Sequence, residues 1–121
     1  MSEIRELPAD YPSESALLGC VLLDGSCLPE IQSLVERDDF AKFAHQHIWE
    51  AAVAVQNADK APDVVTVRSE LQKSGKLEDA GGLAYLTSLV SGIPSSANFP
   101  AYASSVKRAS DLRNLVIRLG S

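Results

Sequence analysis

The sequence predicts an all-α fold, a compact bundle of about six helices, and three observations carry that prediction. Apolar residues recur at steps of three and four through most of the chain, the spacing of one helical face. Glycine, proline and capping residues cut the chain into short segments joined by brief connections. Aromatics are only 6% of the residues, so aliphatics and alanine must fill the core, which favours close helix packing over a β-sandwich. The β-branched run Val64-Val65-Thr66-Val67 sits between a capping residue and a helical continuation, and so does not read as a strand. The chain contains no repeats and no low-complexity tract.

Residues 1–12, with Pro8 and Pro12, read as an extended arm. From Ser13 to Leu23 a stripe of Ala16, Leu17, Cys20, Val21 and Leu23 predicts a helix, ended by Asp24-Gly25. Leu28, Ile31, Leu34 and Val35 repeat the spacing, with Pro29 tolerable in a first turn. Asp38-Asp39-Phe40 reads as a turn that plants an aromatic ring in the core. A helix from about His45 to Ala58 turns Ile48, Ala52 and Val55 inward, with Trp49 flanking. Asp63 is placed to cap a helix over Val64 to Ser74, in which Val64, Val67 and Leu71 face inward and Gly75 terminates. Gly81-Gly82 opens another, with Leu83, Leu86, Leu89 and Val90 on one face, stopped by Gly92 and Pro94. Asn98 can cap a long last helix with Pro100 in its first turn. Its stripe is Phe99, Tyr102, Val106, Ala109, Leu112, Val116 and Leu119.

At 121 residues the chain is one domain of ordinary size, and 45% hydrophobic with 22% charged residues is the balance of a soluble globular protein. No apolar run approaches the ~20 residues that cross a bilayer. The first residues carry acids and prolines where a signal peptide needs a basic stretch and an apolar run. The expected location is therefore cytoplasmic. There Cys20 and Cys27 are expected as free thiols, buried as small hydrophobes. A net charge of −5 counts against nucleic acid as the main partner, because neutralising phosphates supplies much of that affinity. The last helix departs from this balance. Lys107, Arg108, Arg113 and Arg118 make its C-terminal part basic. Two readings stand, a solvated face suited to the helix dipole, and an arm that packs against a second copy.

Catalytic patterns fail on inspection. A phosphate-binding loop needs G-x-x-x-x-G-K-[ST]; at Gly75-Lys76 the next residue is Leu77, and Glu70 stands in place of the first glycine. His45 and His47 are two positions apart, which puts them on different faces of a helix, so structural or surface roles are expected and no metal. One of them, near the Asp38-Asp39 turn, could form a capping or core hydrogen bond. The acid pairs Asp38-Asp39 and Glu78-Asp79 fall in turns where neighbouring carboxylates are usually solvated. No Gly-x-Ser-x-Gly elbow is present. No enzyme activity and no cofactor are expected from these residues.

The order of short motifs points further. Leu18-Gly19-Cys20-Val21-Leu22-Leu23-Asp24 is similar to L-G-x-x-L-x-D, and Asp39-Phe40 with His45, Ile48 and Trp49 to D-F…H-x-x-I-[FW]. Asp63-Val64-Val65-Thr66-Val67 fits D-x-[VI]-T-[VL]. Gly75-Lys76-Leu77 and Gly81-Gly82-Leu83-Ala84-Tyr85-Leu86 fit G-x-L…G-G-x-x-Y-L. Pro94 to Asn98, then Tyr102-Ala103 and Val106, fit P-[ST]-x-A-N…Y-A-x-x-V. In this order, from about Pro8 to Leu115, the blocks resemble the N-terminal domain of DnaB-type replicative DNA helicases. Two departures are Pro12, near which the family usually has an acid, and Phe43-Ala44 in place of a Pro-acid pair.

The resemblance implies a helical head (residues 13–97) after the arm, and then the first helix of a helical hairpin (98–121). It implies that the chain stops before the linker and the RecA-like ATPase domain. ATP and Mg would belong to that absent motor, a 5'-3' DNA helicase. Hairpins pair into dimers in this family, and three dimers form the collar of the hexamer, which receives primase in the primosome. The self-association stripe is then Tyr102, Val106, Leu112, Val116 and Leu119. Tyr85 is a candidate anchor for primase, or else a core tyrosine with a satisfied hydroxyl. The alternative function is contact with single-stranded DNA through Lys107, Arg108, Arg113 and Arg118.

Overall fold

Asp10 starts the first helix. Its carboxylate accepts hydrogen bonds from the Ser13 backbone N–H (3.1 Å) and hydroxyl (2.8 Å), and Pro12 occupies the first turn, where no backbone N–H is needed. The helix, α1 (Tyr11–Leu23), is followed by a 3-10 turn (Gly25–Cys27) and the short α2 (Leu28–Gln32). A second 3-10 turn (Arg37–Asp39) precedes α3 (Phe43–Asn57), α4 (Val64–Lys73), α5 (Gly82–Ser91) and α6 (Phe99–Leu119). This computed structural model describes residues 7–120, and among them there are helices and no strands, as the sequence predicts. The expected arm is shorter than residues 1–12, because Asp10 caps a helix that already includes Tyr11 and Pro12. Its first six residues lie outside the described part.

α1 runs through the middle of the bundle and packs on α3, α5 and α6. Every residue from Leu17 to Leu22 is buried, so this helix is apolar nearly all round rather than along one stripe. Leu23, expected inside, is exposed at its end. Gly19 lets α1 meet α5 backbone to backbone. A Cβ at that position would lie 2.4 Å from the Leu89 carbonyl oxygen.

Phe40 and Trp49 are both buried with ring centroids 5.3 Å apart, the aromatic plug that the Asp-Phe turn predicts. α4 begins in a capping box: the Asp63 carboxylate accepts from the Thr66 N–H, and the Asp63 N–H donates to the Thr66 hydroxyl. It turns Val67 and Leu71 inward, lies against α3, and gives way to Gly75 at φ +74°. Leu34 and Leu83, expected on buried faces, are exposed. Asn98 occupies the N-cap of α6 through its carbonyl, which accepts from Ala101 and Tyr102, while its side chain makes no capping bond. Among the described residues no helix is long and apolar enough to cross a membrane.

Candidate functional site

α6 has two faces with different tasks. Ala103, Val106, Ser110 and Arg113 are buried against the head, where the helix packs on α1, α2 and the Arg37–Asp39 turn. Leu112, Leu115, Val116 and Leu119 are exposed, Leu119 at 79%. Helical rotation separates the two sets. At about 100° per residue, Leu112, Val116 and Leu119 stand about 120°, 80° and 140° around from Val106. The stripe expected for self-association is therefore two stripes. Val106 belongs to the core, with 1% of its surface accessible, Tyr102 is half-buried against that core, and Leu112, Val116 and Leu119 form the open face.

Beyond Val106 the helix is fastened to the head by polar groups. The buried Asp39 carboxylate accepts from the Glu36 N–H (2.8 Å), the Ser110 hydroxyl (2.7 Å) and Lys107 Nζ (3.4 Å). Arg113, 8% exposed, donates to the carbonyls of Pro8 (3.0 Å), Asp39 (2.9 Å) and Asp38 (3.4 Å). Two expectations change here. Asp39 is an anchoring group and not a solvated turn acid, and Arg113 is buried on three backbone carbonyls and does not stand on an exposed basic face. Lys107 is half-exposed and paired; Arg108 and Arg118 face solvent. Ser110 and Arg113 follow Val106 by four and seven residues, the spacing of one face, and that spacing is the signal that could have placed them inward.

A second polar cluster joins three helices. Glu14 of α1 is 1% exposed; its carboxylate accepts from the Ala41 N–H (2.8 Å) and the Lys42 N–H (3.4 Å) and lies 2.7 Å from His45 Nδ1. The other ring nitrogen of His45, Nε2, lies 2.6 Å from the Tyr85 hydroxyl, which is 3.5 Å from the Ser15 hydroxyl. Lys42 Nζ sits 5.3 Å from the centroid of the Tyr85 ring, and the Tyr85 and His45 rings stack at 5.9 Å. Tyr85 is thus the half-buried tyrosine with a satisfied hydroxyl, and it lines a groove between α1 and α5. His45 is fully buried, the core hydrogen-bonding role expected of one histidine, and His47 stays near the surface beside Glu50. Glu14 was missed. It precedes Leu17, Leu18 and Val21 by three, four and seven residues, a core position that its charge disguises.

Every buried side-chain nitrogen and oxygen among the described residues has a partner, so neither cluster leaves an orphan aimed at a ligand. The described His, Cys, Asp and Glu residues form no group of three that could hold a metal ion. Cys20 and Cys27 are free and buried, and the Cys27 thiol points at the Asp24 carbonyl, 3.0 Å away. Burial, reinforced by Cys20 and Asp24 nearby, pushes the Cys27 thiol up to about 11. Asp24 moves the other way, because the hydroxyl and N–H of Ser26 hydrogen-bond its ionised form.

The model of the family described as DnaB-like helicase N terminal domain matches residues 6–108. The replicative DNA helicase DnaB of Geobacillus stearothermophilus is 38% identical over 119 residues, covering 96% of this chain and 26% of the relative. The replicative DNA helicase DnaC of Bacillus subtilis is 36% identical over 109 residues, covering 90% and 24%. The chain thus spans about a quarter of the length of these curated relatives. The crystal structure of the N-terminal domain of DnaB helicase from Mycobacterium tuberculosis superposes with a TM-score of 0.89 at 34% identity, covering 92% of this chain and 77% of that one.

Proposed function

Because the chain belongs to the DnaB-like helicase N-terminal domain family, we propose that it is a non-catalytic assembly domain. It would self-associate through α6 into the collar of a hexamer and offer that collar to primase. The observation that carries this reading is the exposed row Leu112, Leu115, Val116 and Leu119, on a helix about 30 Å long whose other face is already held by the head. Four large aliphatics in one row are a patch that water does not favour and that a partner helix would cover. Tyr85 contributes to the primase surface where it lines the α1–α5 groove, with its hydroxyl already in contact with His45.

The motor to which such a domain would belong is an ATP-dependent 5'-3' DNA helicase working in the cytoplasm, with ATP and Mg bound outside these residues. The DNA-contact alternative is less supported, since of Lys107, Arg108, Arg113 and Arg118 one is buried and one is paired with Asp39.

Size-exclusion with light scattering at several concentrations, on the wild type and Val116→Asp, tests the reading. The wild type is expected to dimerise with concentration and the variant to stay monomeric. Equal masses for the two at every concentration would remove α6 as the association surface. Salt-sensitive binding of single-stranded DNA, lost in Arg108→Ala/Arg118→Ala, would favour the alternative.

A further inference from the structure

The Glu14–His45–Tyr85 cluster does more than fill a polar gap. Glu14 receives two backbone N–H groups that can only donate, and its oxygen beside His45 Nδ1 is placed to accept a third hydrogen bond. With Glu14 as the acceptor, the 2.7 Å contact puts the proton of neutral His45 on Nδ1. Nε2 is left bare, and the Tyr85 hydroxyl, 2.6 Å away, must donate to it. The hydroxyl oxygen can still accept from Ser15, on the side of the α1–α5 groove.

Adding one proton reverses that order without breaking a contact. Imidazolium donates from both nitrogens: Nδ1–H stays on Glu14, and Nε2–H now points at the Tyr85 oxygen. The hydroxyl hydrogen must leave the line to Nε2 and turn toward Ser15 and the groove. The buried charge it would create faces Glu14 from α1. Tyr85 comes from α5, Lys42 Nζ stands over that ring, and the Asp39 carboxylate is committed to Ser110 and Lys107.

We propose that Glu14, His45 and Tyr85 form a proton-operated switch whose output is the direction of the Tyr85 hydroxyl at the α1–α5 groove. With His45 neutral, the groove wall of Ser15, Tyr85, Ser88 and Ile93 carries a tyrosine oxygen that only accepts. With His45 charged, the same oxygen presents a donor. The fold stays as it is, and the chemistry of one surface changes.

The chain has two histidines, so His47→Gln leaves His45 as the single imidazole signal. Long-range proton–nitrogen NMR on that variant, titrated across the range where histidines change charge, reads the switch directly. The expected result is an Nδ1–H tautomer at neutral pH, with Nε2 gaining its proton on acidification. The Tyr85 ring carbons and the Ser15 amide should move with the same midpoint while the amide spectrum stays dispersed. In Tyr85→Phe the Nδ1–H tautomer should persist and the Ser15 amide should no longer follow. An Nε2–H tautomer at neutral pH would overturn the proposal. So would a His45 titration that leaves Tyr85 and Ser15 still, or loss of the folded spectrum before His45 takes its proton.

Discussion

Replacing Glu14 by alanine should be among the most damaging single changes in this protein, although it touches no apolar contact that a sequence would flag. The carboxylate serves the Ala41 N–H at 2.8 Å and His45 Nδ1 at 2.7 Å, with the Lys42 N–H at 3.4 Å. A buried donor that loses its acceptor costs about 1–3 kcal/mol. The two short bonds count fully and the long one little, so Glu14→Ala should lose about 3–5 kcal/mol. That is a large part of the about 5–15 kcal/mol that holds an ordinary domain together. Urea unfolding followed by circular dichroism at pH 7 measures it, with the wild-type slope as the check that the unfolded state is unchanged. Glu14→Gln should fall about halfway. Its amide oxygen can keep a backbone N–H, but its NH2 meets the Nδ1–H of His45 donor to donor. A loss within about 0.5 kcal/mol for the alanine variant, the range of surface substitutions, would refute the burial argument.

Gly19→Ala should destabilise by about 1–3 kcal/mol, because its methyl needs the space now held by the Leu89 carbonyl and α1 and α5 must move apart; thermal melts will show it. Arg113→Ala should cost about 2–3 kcal/mol through three carbonyls left without a charged donor. Arg108→Ala, on the exposed side of the same helix, should stay within about 0.5 kcal/mol in the same urea assay. With Cys27 raised from 9.0 to about 11, its thiolate population at pH 8 is about a hundredfold below that of an ordinary cysteine. A disulfide reagent should therefore label it only on unfolding. The sign of the linked stability follows. The contribution is complete below pH 9 and is lost as pH rises from there to about 11.

Some of this architecture is plain in the residues and some is disguised. Asp63 with Thr66 and Gly75 mark the two ends of α4, because capping chemistry is local and needs no knowledge of the rest of the fold. Phe40 after the acid pair likewise announces a buried ring. The α6 stripe misleads, because it takes more steps of three than of four, and each step of three turns the row back by about 60°. A row continuous along the sequence thus walks off the head after Val106. Glu14, Asp39 and Arg113 are hidden for another reason. Each charge is offset by a partner 27 to 105 residues away, as in Glu14 with Ala41 and Arg113 with Pro8, and no local pattern reveals such a partner. Helix spacing assigns Glu14 and Arg113 to inward faces, and Asp39 sits in a turn with no such signal; only the fold supplies what they meet there.

The polar fastening of α6 has a mechanical consequence. Six rises of about 1.5 Å separate Arg113, the last buried residue, from Leu119, so the tip is a lever of about 9 Å standing off the head. A tilt of about 10° at its base swings Leu119 by about 1.6 Å, about one residue's rise along the helix. Arg113 grips the lever at its base and ties it to two separate stretches of chain, through the carbonyl of Pro8 and those of Asp38 and Asp39. A push on the segment before α1 or on the turn before α3 would therefore reach the last helix through Arg113.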